Sequence, residues 1–179
     1  MSINFATVRT SIYEWATANI PAGMPAIYLY NNAPRPTVDY ITLYIATVTQ
    51  IGWDWVQGPT SDSGISNQVG DREFTVQIQA YGNDPLTVLN NLRTSLQKQS
   101  VLDTLRANGI VLANWFPIND VTELVDTRFE QRGSMDVLFR IADQYTDDPG
   151  VIDTVEVEET IKNPAGTVVY NETITIPPS

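Results

Sequence analysis

Apolar and polar residues alternate along three stretches of the chain. From Tyr40 to Gln50, Ile41, Leu43 and Ile45 fall on one side and Tyr40, Thr42 and Tyr44 on the other. From Arg72 to Tyr81, Phe74, Val76, Ile78 and Ala80 oppose Glu73, Thr75, Gln77 and Gln79. From Arg128 to Ala142, Phe129, Met135, Val137, Phe139 and Ile141 oppose Arg128, Glu130, Arg132, Asp136 and Arg140. Successive side chains of a strand point to opposite faces, so each stretch predicts a strand with one buried and one wetted face. A spacing of three and four links Phe5, Val8, Ile12, Trp15 and Ala16, which predicts a helix over 3–19 with Ser2 as its N-cap. Asp84 followed by Pro85 starts a second helix over 85–97, with Leu89, Leu92 and Leu96 as its apolar stripe, and Val101 to Asn108 reads as a third that stops at Gly109.

Shorter signals fill the gaps. Ala26 to Tyr30 and Ile110 to Phe116 are apolar runs suited to strands, and Asn31-Asn32-Ala33-Pro34-Arg35-Pro36 is a breaker cluster. Gly52 to Gly70 is rich in Gly, Pro and Ser and predicts a long mobile loop or an extended hairpin tip. Beyond Gly150, the β-rich runs Val151 to Ile161 and Thr167 to Ile176 flank Asn163-Pro164-Ala165-Gly166, a sequence suited to a type I turn, and together predict a hairpin. The expected fold is α+β: a mixed, mainly antiparallel sheet with helices packed on one face, plus a C-terminal β-hairpin extension. The expected division is a body over 1–148 and an acidic hairpin over 149–179.

Composition narrows the chemistry more than it widens it. The 179 residues include neither Cys nor His, so disulfides, thiolate nucleophiles, Ser-His triads and zinc-finger sites are excluded. Ten Lys plus Arg against 21 Asp plus Glu give a net charge of -11, which disfavours a nucleic-acid ligand because phosphate binding needs clustered cations. Residues 143–179 hold eight of the acids and one base, Lys162, for a net of -7, so the C-terminal segment differs from the body. No stretch approaches the ~20 apolar residues of a membrane span and the start carries no secretory pattern, so the expectation is a soluble protein with no export signal and no membrane partner.

Any catalytic or metal site would have to be carboxylate-built. Asp143, Asp147 and Asp148 could hold Ca²⁺ weakly, but without EF-hand spacing, and Glu156 and Glu158 share one face of the hairpin strand as a solvated face or a partner contact. No phosphate-binding glycine motif occurs. The expectation is therefore no catalysis, no metal and no cofactor. Trp53 and Trp55 share a strand parity and serve either as a patch packed on the body or as anchors for a partner. Gln77, Gln79, Glu130, Arg132, Asp136 and Arg140 form a mixed-sign sheet face that is either an ordinary wetted surface or a subunit interface in which complementary charges set the register.

Three segments in this order carry a likeness to a known family: Asn31 to Pro36 before a strand, Arg72-Glu73-Phe74 running to Ala80-Tyr81-Gly82, and Phe129 to Asp136 opening the last body strand. The chain resembles the neck or tail terminator proteins of the head-tail connector of long-tailed bacteriophages, with the likeness covering roughly residues 5–142 and leaving the C-terminal hairpin outside. The resemblance implies a non-enzymatic virion protein, assembled in the host cytoplasm, that forms a ring, usually a hexamer, at the head-proximal end of the tail tube. The implied partners are copies of itself, the tail tube protein, the tail sheath and the neck or connector proteins, with DNA passing through the lumen without specific binding. A stopper or adaptor of the same connector is the nearest alternative, and a carboxylate-based hydrolase or sugar-binding module is the alternative from another class.

Overall fold

The structure is a computed structural model that describes residues 2–30, 32, 34–58, 61, 64–125, 127–150 and 155–176. Contacts divide the chain into two compact units, one of Met1–Trp55 with Gln68–Tyr145 and one of Val56–Asn67 with Thr146–Ser179.

In the first unit, helix α1 (Phe5–Asn19) begins at Asn4, whose side chain accepts from the backbone N–H groups of Ala6 and Thr7. Asn4 therefore takes the capping role that the sequence pattern assigns to Ser2. Strand β1 (Ala26–Tyr28) pairs in parallel with β2 (Tyr40–Val56), and β3 (Ser66–Tyr81) follows. Helix α2 (Pro85–Ser95) starts with Pro85 behind an Asp84 cap that accepts from Thr87 N–H, and α3 (Gln99–Ala107) follows directly. Strand β4 (Val111–Trp115), the two-residue β5 (Asn119–Asp120), the small hairpin β6 (Glu123–Val125) and β7 (Arg128–Glu130), and the long β8 (Arg132–Asp147) complete the unit's elements.

The sheet order is β1-β2-β3-β8-β4, with β5 also on β8. β4 and β5 run antiparallel to β8. As β2 advances through Tyr40, Thr47 and Asp54, its side-chain partners on β3 retreat through Tyr81, Thr75 and Arg72, so this pair is antiparallel too. Mostly antiparallel strands with helices make the α+β class.

The helices and one face of the sheet share a single core. Val8, Ile12, Trp15 and Ala16 of α1 and Val88, Leu89 and Leu92 of α2 pack with Phe74, Val76, Ile78, Met135, Val137 and Phe139. Phe139 stacks on Phe74 at 5.6 Å and meets Trp15 edge-on at 6.0 Å. Trp15 does not leave a polar atom stranded: its indole N–H donates to Ser95 Oγ at 3.0 Å. Along β3 and β8 the buried positions are the apolar halves of the alternation. Phe129 departs from the sequence reading. Gln131 separates β7 from β8, so Phe129 pairs with Leu124 in the small hairpin and is 76% exposed.

The segment Gly52–Gly70 is also more regular than its composition suggests, because β2 continues to Val56 and β3 begins at Ser66. Its flanks are thus strand, as the extended-hairpin reading expects, while residues 59, 60, 62 and 63 lie outside the described residues. Gly52 takes φ +66 within the strand, a conformation that a side chain would strain.

In the second unit, Gln57 N–H donates to Asn67 O and Gly64 N–H to Ser61 O. Strands β9 (Val155–Lys162) and β10 (Val168–Ile176) form an antiparallel hairpin. Its turn has Gly166 N–H donating to Asn163 O at 2.8 Å, while Asn163 Oδ1 accepts from the N–H groups of Ala165 and Thr167. Of the run read as Val151 to Ile161, residues 151–154 lie outside the described residues.

Candidate functional site

The sheet face away from the helices carries a connected polar network. Tyr40 and Tyr81 stack at 4.5 Å with an interplanar angle of 5°. The Arg35 guanidinium lies over both rings, at 5.6 and 5.5 Å, and Arg132 lies over Tyr81 at 5.1 Å. Each cation meets the negative face of a π system, an attraction that grows as the site loses water. Arg35 forms an ion pair with Glu130, and Arg132 donates to Gln79 Oε1. Tyr81 OH also donates to Gln79 Oε1, at 2.8 Å, and Gln79 Nε2 donates to Gln77 Oε1 at 3.2 Å. Burial pushes the Tyr40 hydroxyl above its ordinary value against the opposing pull of Arg35. Beside the network is an open cleft of about 390 Å³ lined by Arg35, Asp39, Tyr40, Tyr81, Phe129 and Glu130 among others.

Strand pairing explains why these residues meet. Arg35 precedes β2, Tyr81 ends β3, and Glu130 and Arg132 flank Gln131 between β7 and β8, so strand pairing brings three distant segments to one end of the face. Of the candidate interface residues, Gln77, Gln79, Glu130 and Arg132 are brought together. Asp136 and Arg140 follow on the same face of β8, and Arg140 pairs with Glu73 at 3.0 Å. Two atoms on this face remain unanswered among the described residues: Arg132 Nε and Asp136 Oδ1 are buried with no hydrogen-bond partner. Arg35, Tyr40 and Tyr81 were not among the candidates. Arg35 and Tyr81 were marked only by membership of short motifs and Tyr40 by its place in an alternating strand, since nothing local marks a tyrosine at a strand end as half of a stack.

A second cluster pins the far end of the hairpin formed by β2 and β3. Arg72 holds Asp54 through two parallel bonds of 2.7 Å and reaches Asp143 at 3.3 Å, while Tyr145 OH donates to Asp54 at 3.0 Å. The Arg72 bonds, chiefly, hold the Asp54 carboxyl below the usual carboxylate range, and Asp54 in turn raises the Arg72 value. Arg72 shares strand parity with Phe74, and Asp143 with Phe139, so the cluster continues the helix side of the sheet beyond its apolar part. Gly70 is buried there, and a Cβ on it would collide with the Asp54 carboxylate. Asp143, considered above as a weak Ca²⁺ ligand, is engaged by Arg72 and by the backbone N–H of Ile3.

Asp54 lies between Trp53 and Trp55. With the carboxylate pinned toward Arg72, strand alternation turns both indoles to the opposite side. Trp53 is 92% exposed and Trp55 48%, so neither is a core residue of the body. Glu156 and Glu158 lie on β9 opposite Thr175 and Thr173, on a polar face of the C-terminal hairpin.

A model of the family described as phage neck terminator protein matches residues 6–165. No curated protein sequence matches the chain. The matched range contains all three segments that carried the sequence resemblance, and it corrects that reading at one end. It runs past residue 142 through β9 and the turn after it, so the hairpin is not wholly outside the family. The chain belongs to the phage neck terminator protein family, and is thereby a structural component of the virion neck that works against other neck and tail proteins.

Proposed function

We propose that copies of the chain close into a ring, a hexamer as the resemblance implies, on the head-proximal end of the tail tube, where the ring stops tube polymerisation and offers a docking surface to the head. The carrying observation is the sheet face away from the helices, on which Arg35, Tyr81, Glu130 and Arg132 form one connected network of charged and aromatic groups. A stiff face with fixed charges sets register between subunits, which a ring requires. The exposed Trp53 and Trp55 supply the apolar anchor that such a polar face lacks.

The role is mechanical, not catalytic. A chain without His or Cys has no ordinary proton shuttle at neutral pH. Its net charge of -11 suits a channel through which DNA passes without adhering, because phosphates gain nothing from an acidic surface. The test has two parts. Native mass spectrometry of the purified chain, alone and with tail tube protein, is expected to give a closed ring. Infection with phage lacking the chain is expected to yield tubes of uncontrolled length, restored by the wild-type chain and not by Arg132→Ala/Asp136→Ala. Tubes of normal length in its absence, with heads and tails unjoined, would instead assign a stopper or adaptor role.

A further inference from the structure

The β9–β10 hairpin has two unlike faces. Its register sets Val157 opposite Ile174, Glu159 opposite Glu172 and Ile161 opposite Tyr170, and directly opposed residues share a face. Val155 has the same parity. This face is therefore apolar except at its middle, where two carboxylates stand side by side. The other face holds Glu156, Glu158 and Thr160 against Thr175, Thr173 and Asn171, and ends toward the turn with Lys162 opposite Val168. The apolar residues are bare: Val155, Val157, Ile161, Tyr170 and Ile174 are each 41–48% exposed. A two-stranded hairpin is marginal in water, and like charges directly opposed weaken it further. Tyr170 OH donates to Glu172, which occupies part of one carboxylate, and among the described residues no cation pairs with Glu159 or Glu172.

We propose that this face docks on another protein of the neck or tail whose surface presents a Lys or Arg flanked by apolar side chains, the cation seating between Glu159 and Glu172. Charge selects this occupant over a second copy of the chain. With 21 acids to ten bases, a copy offers a net-negative surface to a hairpin that is itself acidic. The proposal rests on the chain's place among neck proteins and not on the ring.

The test titrates the full chain against each of the other purified neck and tail proteins of the same phage by calorimetry, at low and high salt. One partner is expected to bind, more weakly at high salt. Glu159→Gln/Glu172→Gln should reduce its affinity about tenfold or more and flatten the salt dependence, whereas Glu156→Gln/Glu158→Gln on the other face should stay within about twofold. The first pair should also make the free hairpin more resistant to proteolysis, since it removes a repulsion, so lost binding would not reflect lost folding. Val157→Thr with Ile174→Thr supplies an independent apolar variant and should weaken binding as well. Equal losses from the two carboxylate pairs would overturn the proposal, and so would self-association through the hairpin or binding by none of these proteins. Ring mass measured on the same samples separates this outcome from a failure of the ring reading.

Discussion

Replacing Trp53 by Ala sets folding against assembly at one residue. A Trp side chain buries up to about 250 Å² when fully enclosed. Trp53 is 92% exposed, so folding covers roughly 20 Å² of it, which at ~25 cal/mol per Å² amounts to ~0.5 kcal/mol. A urea titration should therefore show Trp53→Ala within about 0.5 kcal/mol of wild type, as for a surface site free of special features. A subunit contact that encloses the same ring recovers most of that area, and interface anchors of this kind are worth about 2–4 kcal/mol, or roughly 30- to 1,000-fold in dissociation constant. Sedimentation velocity over a concentration series reads that shift directly, with Trp53→Phe expected to retain part of it. Two results would refute the reasoning: a variant that assembles like wild type, or one that loses several kcal/mol of folding stability and so reveals an indole packed on its own body.

Phe139→Ala, which empties a fully buried site between Phe74 and Trp15, should cost about 3–5 kcal/mol in urea unfolding, against less than about 1 kcal/mol for Gln77→Ala on the other face. Equal costs would mean that the sheet is not one-sided. Gly70→Ala should displace the Asp54 carboxylate from Arg72 at about 1–3 kcal/mol, visible as a change in Trp emission, because the added methyl occupies the space that carboxylate fills. The pH dependence of stability follows from the depressed Asp54 value. A carboxyl that binds its proton less readily folded than unfolded contributes stability above the ordinary carboxylate range, and that stability is lost as pH falls below about 4 through the folded value. Asp54→Asn should be less stable than wild type at neutral pH, with a shallower acid loss; identical acid profiles would exclude Asp54 as a contributor.

The layers of the fold were legible where one element alone reports its surroundings. The alternation of Phe74, Val76, Ile78 and Ala80 with Thr75, Gln77 and Gln79 depends only on helices covering one side, and Asp84 with Pro85 is a helix start by local chemistry. Asn4 was missed because capping depends on where the chain turns, and Ser2 was an equally good residue type. The strand flanks of Gly52–Gly70 were legible only as one of two alternatives, since Gly and Pro usually punctuate strands, whereas here Gly52 takes a positive φ and Gly70 a close approach within them. Of the site, single residues such as Arg132 were visible, but the Arg35-Tyr81-Glu130 contact was not. Their meeting is set by strand order, and sequence spacing holds no trace of that order.

The electrostatics of the described residues suit a part that must hold its shape through infection. Each resolved shift moves a group away from neutrality: Tyr28 is pushed by burial up to about 12, Tyr40 and Tyr170 are raised, Asp54 and Asp120 are lowered, and Arg72 is raised. The two clusters account for Tyr40, Asp54 and Arg72, and burial or local hydrogen bonds for the others, because an ion held by its partner or a phenol kept from water resists changing charge. No histidine is present to add a titration between about pH 5 and 8. Under the proposed docking, control of neck assembly comes from the order in which partners bury these faces, with salt, acting on exposed carboxylates such as Glu159 and Glu172, as an external lever.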